Sequence, residues 1–150
     1  MLLKHINSGK YLSVAIECTE SSCGYFKLLL GDKDKEKQAT YVFQMQPTRS
    51  FEKIADPVKF DFNVHLYSPR NELFMNTEVD FDSRIRLMGS HDKDTKWRFR
   101  FYDSHLNTEN DNIRDKDLVY LVNSKSGGLL TVRKNIKNQS TLEIKGERYE

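Results

Sequence analysis

One phrase occurs three times along this chain, and it restricts the fold more than any other feature. It reads Leu3-Lys-His-Ile-Asn-Ser-Gly-Lys-Tyr-Leu-Ser-Val14, then Leu66-Tyr-Ser-Pro-Arg-Asn-Glu-Leu-Phe-Met-Asn76, then Leu121-Val-Asn-Ser-Lys-Ser-Gly-Gly-Leu-Leu-Thr-Val132. An apolar strand end enters a polar turn and a second apolar strand follows, which marks one supersecondary unit repeated with pseudo-symmetry. Each copy goes on to another apolar strand that stops at glycine: Phe26 to Gly31, Ile85 to Gly89 and Leu142 to Gly146. Copies one and two then add an aromatic strand, Tyr41-Val-Phe-Gln-Met45 and Trp97-Arg-Phe-Arg-Phe101. Copy three stops short of one.

The class expected is all-β. Lys96 to Phe101 alternates rings with bases, the period-2 pattern of a half-buried strand, and Val58-Lys-Phe-Asp-Phe-Asn-Val64 shows the same alternation. No stretch has convincing 3.6-residue periodicity, whereas short β-branched and aromatic runs punctuated by Gly, Asn, Asp and Pro recur throughout. Three repeats of about four strands each match the β-trefoil, in which six strands close a barrel and three hairpins cap it. Copy one lacks the strand residues that precede copies two and three, and copy three lacks its aromatic strand. A barrel made of these residues alone is thus one strand short, and the chain reads as a piece of a longer protein.

With 37% hydrophobic and 31% charged residues, 150 residues make one ordinary domain with room for a sizeable core. No apolar run approaches the ~20 residues of a membrane helix, so no membrane contact by this segment is expected. Nor does the beginning have the apolar region of a signal peptide. A net charge of +2 from 24 basic and 22 acidic residues gives no field that argues for nucleic acid. Cys18 and Cys23, in a chain without secretory features, are expected as free thiols. The run Asp32 to Lys37 is an exposed, solvated loop, and the polar segment 103–114 is the best linker.

No nucleophile, acid/base pair or phosphate-cradling glycine loop is recognisable, so no catalytic residue, metal site or cofactor is assigned. His5, His65, His91 and His105 are scattered and read as structural or surface residues. Asp111, Asp115 and Asp117 lack the glycine turn and terminal glutamate of a calcium loop. Asn138-Gln-Ser140 is a glycosylation sequon in form, with meaning only in a secreted or luminal chain. Arg84, Arg86, Lys96, Arg98 and Arg100 are expected on outward faces of two strands, where a solvated face competes with an anion or acidic partner.

The phrase Leu2 to Val14 resembles the MIR-type repeat of inositol trisphosphate and ryanodine receptors. Tyr41-Val-Phe-Gln-Met-Gln-Pro47 is similar to that family's aromatic strand ending in Gln-Pro, and Phe51 to Val58 to the connection after it. Lys96-Trp97-Arg98 resembles the strand that closes the family's first trefoil, and Asp115 to Leu121 the start of its second. The resemblance implies that residues 1–102 are two repeats of an amino-terminal suppressor-like trefoil, 103–114 the linker, and 115–150 the first repeat of a ligand-binding-type trefoil; the alternative is that all three copies close as one pseudo-trefoil.

It further implies a non-catalytic part of the cytosolic gating region of a calcium-release channel on the endoplasmic reticulum. Its partners would be neighbouring domains and subunits of a homotetramer, with an inositol phosphate bound in the full-length protein. Gly146 matches the family's phosphate-holding loop, Glu143 and Glu147 stand where its flanking arginines would, and Lys145 and Arg148 are the bases that would substitute for them. A carboxylate beside a phosphate costs Coulomb energy, so weak binding is expected. The rival is a MIR domain of a luminal glycosyltransferase or chaperone-like protein that recognises sugar or protein. A free-standing lectin ranks third, since no ligand-type residues recur in each copy.

Overall fold

A computed structural model describes residues 1–18, 23–29, 42–48, 57–79, 85–102, 112–134 and 140–145. Within them lie ten strands and no helix: β1 (Tyr11–Cys18), β2 (Cys23–Leu29), β3 (Gln44–Pro47), β4 (Val64–Ser68), β5 (Leu73–Val79), β6 (Ile85–Ser90), β7 (Trp97–Phe101), β8 (Val119–Asn123), β9 (Leu129–Lys134) and β10 (Ser140–Lys145). The three copies are legible in the register. Lys4 bridges Tyr11, Tyr67 pairs with Phe74 and Val122 with Leu129, and one strand further on Tyr11, Phe74 and Leu129 face Leu29, Ser90 and Lys145.

Each copy thus contributes one antiparallel hairpin, β1–β2, β5–β6 and β9–β10, and the second strands β2, β6 and β10 pack against one another. The remaining strands form a curved wall beneath them. β3 pairs along β4, β7 pairs along β8, and Val64 meets Trp97 to join the two. Residue 1 extends the wall past β3, because Met1 and Phe43 exchange both backbone hydrogen bonds (2.6 and 2.8 Å). This is the β-trefoil arrangement: hairpins on one end, a strand wall from every copy below, all antiparallel.

One core fills it. Leu12 and Phe43 from copy one, Val64, Leu66, Leu73, Met75, Leu87, Trp97 and Phe99 from copy two, and Leu121 and Ile144 from copy three form one buried cluster. The alternation in β7 holds residue by residue, with Trp97 and Phe99 sealed while Arg100 is exposed. Trp97 Nε1 donates to the Met75 carbonyl at 2.9 Å, so the largest side chain of the core leaves no polar atom stranded.

Two expected strands are corrected. Val58 to Val64 is not a strand: Lys59 makes a lone bridge to Asn112, and Asp61 turns the chain at φ +62° while its N–H donates to Phe99 O. The apolar spacing serves the turn instead, with Phe60 buried edge-on against Phe101 at 5.3 Å. The strand expected at Tyr41 to Met45 begins at Gln44, with Phe43 buried just before it. Tyr41, like the charged loop 32–37 and most of 103–114, is outside the described residues.

The turns of the three copies obey one design. His5 with Ser8, Ser68 with Asn71, and Asn123 with Ser126 hydrogen-bond side chain to side chain across three residues. Ser8 Oγ accepts the Lys10 N–H and Ser126 Oγ accepts the Gly128 N–H, the local bonds that make Ser and Asn turn residues. The next position is left-handed in every copy: Gly9 at φ +68°, Glu72 at +54° and Gly127 at +72°. Glycine adopts this without cost, whereas glutamate brings its Cβ too close to backbone. Glu72→Gly should therefore raise stability by about 0.5–1 kcal/mol, and Gly127→Ala should lower it by about 1–2 kcal/mol, both read from urea midpoints.

Candidate functional site

Of the residues expected to hold an inositol phosphate, Lys145 is exposed at the end of β10, opposite Leu129, while Gly146, Glu147 and Arg148 are outside the described residues. Glu143 faces Thr131 in the same ladder. Among the described residues, the expected bases do not all lie on neighbouring strands. Arg86 lies on β6, and the sheet order places β5 and β4 between it and β7, which carries Arg98 and Arg100; Arg84 is outside the described residues. β6 and β7 follow each other in sequence but are not neighbours in the sheet, which is why the stripe was not to be had from spacing alone.

What the β7–β8 pairing does assemble is different. Arg100 faces Tyr120 across the ladder, and the Tyr102 N–H donates to the Leu118 carbonyl at 3.0 Å, extending the pairing by one step. Directly opposite residues of an antiparallel pair share a face. Arg98, Arg100 and Tyr102 therefore share the outer face with Leu118 and Tyr120. Tyr102, Leu118 and Tyr120 are 59%, 48% and 38% exposed, and the tyrosine rings lie 5.3 Å apart at 36°. At its side Arg100 Nε stands 3.6 Å from Asp61 Oδ1, a pair half open to water and so worth at most about 1 kcal/mol. Arg98 is half-buried, and its Nε is sealed without a hydrogen-bond partner among the described residues.

Sequence reasoning missed this cluster although its signal was present. Tyr102 continues the outward alternation of Arg98 and Arg100, and Tyr120 alternates with the buried Leu121. Only the register of β7 on β8 makes one patch of two tyrosines 18 positions apart.

Behind this face lies a polar network within the core. Asn76 Nδ2 donates to Asp92 O at 2.8 Å, and Asn76 Oδ1 accepts the Thr95 N–H at 3.2 Å. Thr95 Oγ1 accepts the Thr77 N–H at 2.9 Å, and Asn123 Oδ1 accepts the N–H groups of Lys125 and Ser126 at 3.2 and 3.0 Å. The bonds of Asn76, Thr77 and Thr95 fasten the loop after β6 to strand β5, and those of Asn123 close the turn after β8.

His65 is buried on β4, its ring edge-on to Phe74 and its Nδ1–H donating to the Thr95 carbonyl at 3.0 Å. Burial pushes its pKa below the ordinary 6.5, with Lys93 and Lys96 adding to the effect and the Thr95 bond opposing it. The unfolded chain therefore binds the proton more readily, so stability is full above about pH 6.5 and declines as pH falls through that value. Melting temperature should drop between pH 7.5 and 5, and His65→Gln should flatten part of that slope. His5 Nδ1 bonds Ser8 Oγ within its own turn, His91 Nδ1 donates to the Glu72 carbonyl of the preceding copy-two turn, 19 residues away, and His105 is outside the described residues. Asp117 Oδ2 accepts the Arg114 N–H at 2.8 Å, a turn-forming bond, and no group of metal-ligand type occurs among the described residues.

No family model and no curated protein matches this chain. Among solved structures it is similar to the SDF2-like protein from Arabidopsis thaliana, with a TM-score of 0.72 and 14% identity over 99% of this chain and 85% of that one. At that identity the likeness is one of fold, and it agrees with the all-β β-trefoil read from the repeats and seen in the register; it brings no sign of the inositol trisphosphate or ryanodine receptors in particular.

Proposed function

We propose that this chain is a non-catalytic recognition module, a MIR-type β-trefoil of the kind serving a luminal glycosyltransferase or chaperone-like protein. It takes a sugar or protein partner on the β7–β8 face. The observation that carries the reading is the exposed Tyr102, Leu118 and Tyr120 cluster beside the Arg100–Asp61 pair. Aromatic rings offer a flat apolar face at small entropic cost, and the flanking guanidinium and carboxylate supply directional hydrogen bonds. The extent of the fold match supports treating the three copies as one unit, since 99% of this chain corresponds to 85% of a single solved chain.

Glycan arrays and peptide arrays probed with the wild type should show binding that falls at least tenfold in Tyr120→Ala, with an unchanged melting temperature. Silence on both arrays, or equal binding by the variant, would overturn the proposal. The second reading, a segment of the cytosolic gating region of a calcium-release channel, draws on the order of its phrases from Leu2-Leu-Lys-His through Gln46-Pro47 to Asp115-Lys-Asp. Heat on titration with inositol trisphosphate, lost in Lys145→Ala, would favour that reading.

A further inference from the structure

The β1–β2 ladder runs unbroken from Tyr11↔Leu29 to Ala15↔Tyr25, and continued unchanged it would set Glu17 opposite Cys23. Instead the register shifts by one residue between Ala15 and Cys18, and Cys18 becomes the partner of Cys23. A one-residue shift exchanges which residues face each other across a hairpin, so the irregularity is what brings the two cysteines into line. Directly opposite positions of an antiparallel pair have Cα atoms ~4.5–5.5 Å apart, inside the ~4.4–6.8 Å range that a disulfide spans. Residues 19–22 connect the pair in sequence.

We propose that Cys18 and Cys23 form a cross-strand disulfide that closes the β1–β2 hairpin at its turn. This reverses the expectation of two free thiols, which rested on cysteine number and the absence of secretory features and took no account of register. The oxidant is a disulfide, either oxidised glutathione or a thiol–disulfide oxidoreductase. One cysteine, as thiolate, attacks it and forms a mixed disulfide while one thiolate leaves. The second cysteine, as thiolate, then attacks the first cysteine's sulfur and displaces the other. Two protons and two electrons leave the pair, and the oxidant is reduced to two thiols.

The test uses the whole chain, equilibrated with reduced and oxidised glutathione at an endoplasmic-reticulum poise, quenched with acid, unfolded and alkylated. The expected result is no alkylated cysteine and a mass lower by about 2 Da, both reversed by a strong reductant, with a monomer on non-reducing gels. Cys18→Ser should leave one alkylated thiol. Two alkylated cysteines in the wild type, a stable glutathione adduct or a disulfide-linked dimer would overturn the proposal. The bridge and the β7–β8 face are tested apart, because thiol counting does not depend on partner binding and Tyr120→Ala does not alter the cysteines.

Discussion

Trp97→Ala should abolish or nearly abolish folding. The indole is completely buried, sits where β7 meets β4, and donates to Met75 O on β5. Truncation removes its burial, leaves a cavity in the middle of the strand wall and strands the Met75 carbonyl, together about 4–6 kcal/mol. That is a large part of the ~5–15 kcal/mol that holds an ordinary domain together. Trp97→Phe separates the causes: it keeps most of the volume, loses the hydrogen bond, and should cost about 1.5–3 kcal/mol by urea denaturation. A small loss in the alanine variant would show that the core is not organised around this residue.

Asn76→Leu should be the next most damaging change, at about 2–4 kcal/mol, even though leucine is more apolar and similar in size. Its amide answers two backbone groups on the segment leading into β7, the part-buried Asp92 O and the buried Thr95 N–H. Leucine answers neither, and each stranded group costs about 1–3 kcal/mol. Thr95 would lose its anchor, and with it the grip of Thr95 Oγ1 on the Thr77 N–H. Hydrogen exchange at Thr95 and Thr77 should accelerate before global unfolding does. Unchanged protection at both amides would refute the coupling.

These positions show which parts of the fold a sequence carries openly. The Trp97 to Phe101 alternation was legible with both boundaries, because a strand buried on one face must alternate and nothing interrupts it. The three turns were legible because Ser and Asn favour local side-chain bonds and Gly favours left-handed backbone, although copy two sets Glu72 at the left-handed position. Val58 to Val64 failed for the opposite reason: apolar spacing of two also suits a turn whose alternate rings drop into the core, and Asp61 tolerates the positive φ that makes it one. The outer cluster of Tyr102, Leu118 and Tyr120 belongs to two copies, so only the β7–β8 register could reveal it. The bulge in β1 is likewise invisible in composition, since an extra residue leaves no mark on a short β-branched run.

β4 hydrogen-bonds to β3, β5 and β7, whereas every other described strand meets at most two partners. The three hairpins join residues close in sequence and can form early, but β4 gains its full set of neighbours only once segments from copies one and two have come together. Its backbone should therefore open only when the whole molecule does. The amide of Leu66, whose side chain is wholly buried, should report the global unfolding free energy, while amides near the hairpin turns exchange through smaller, local openings.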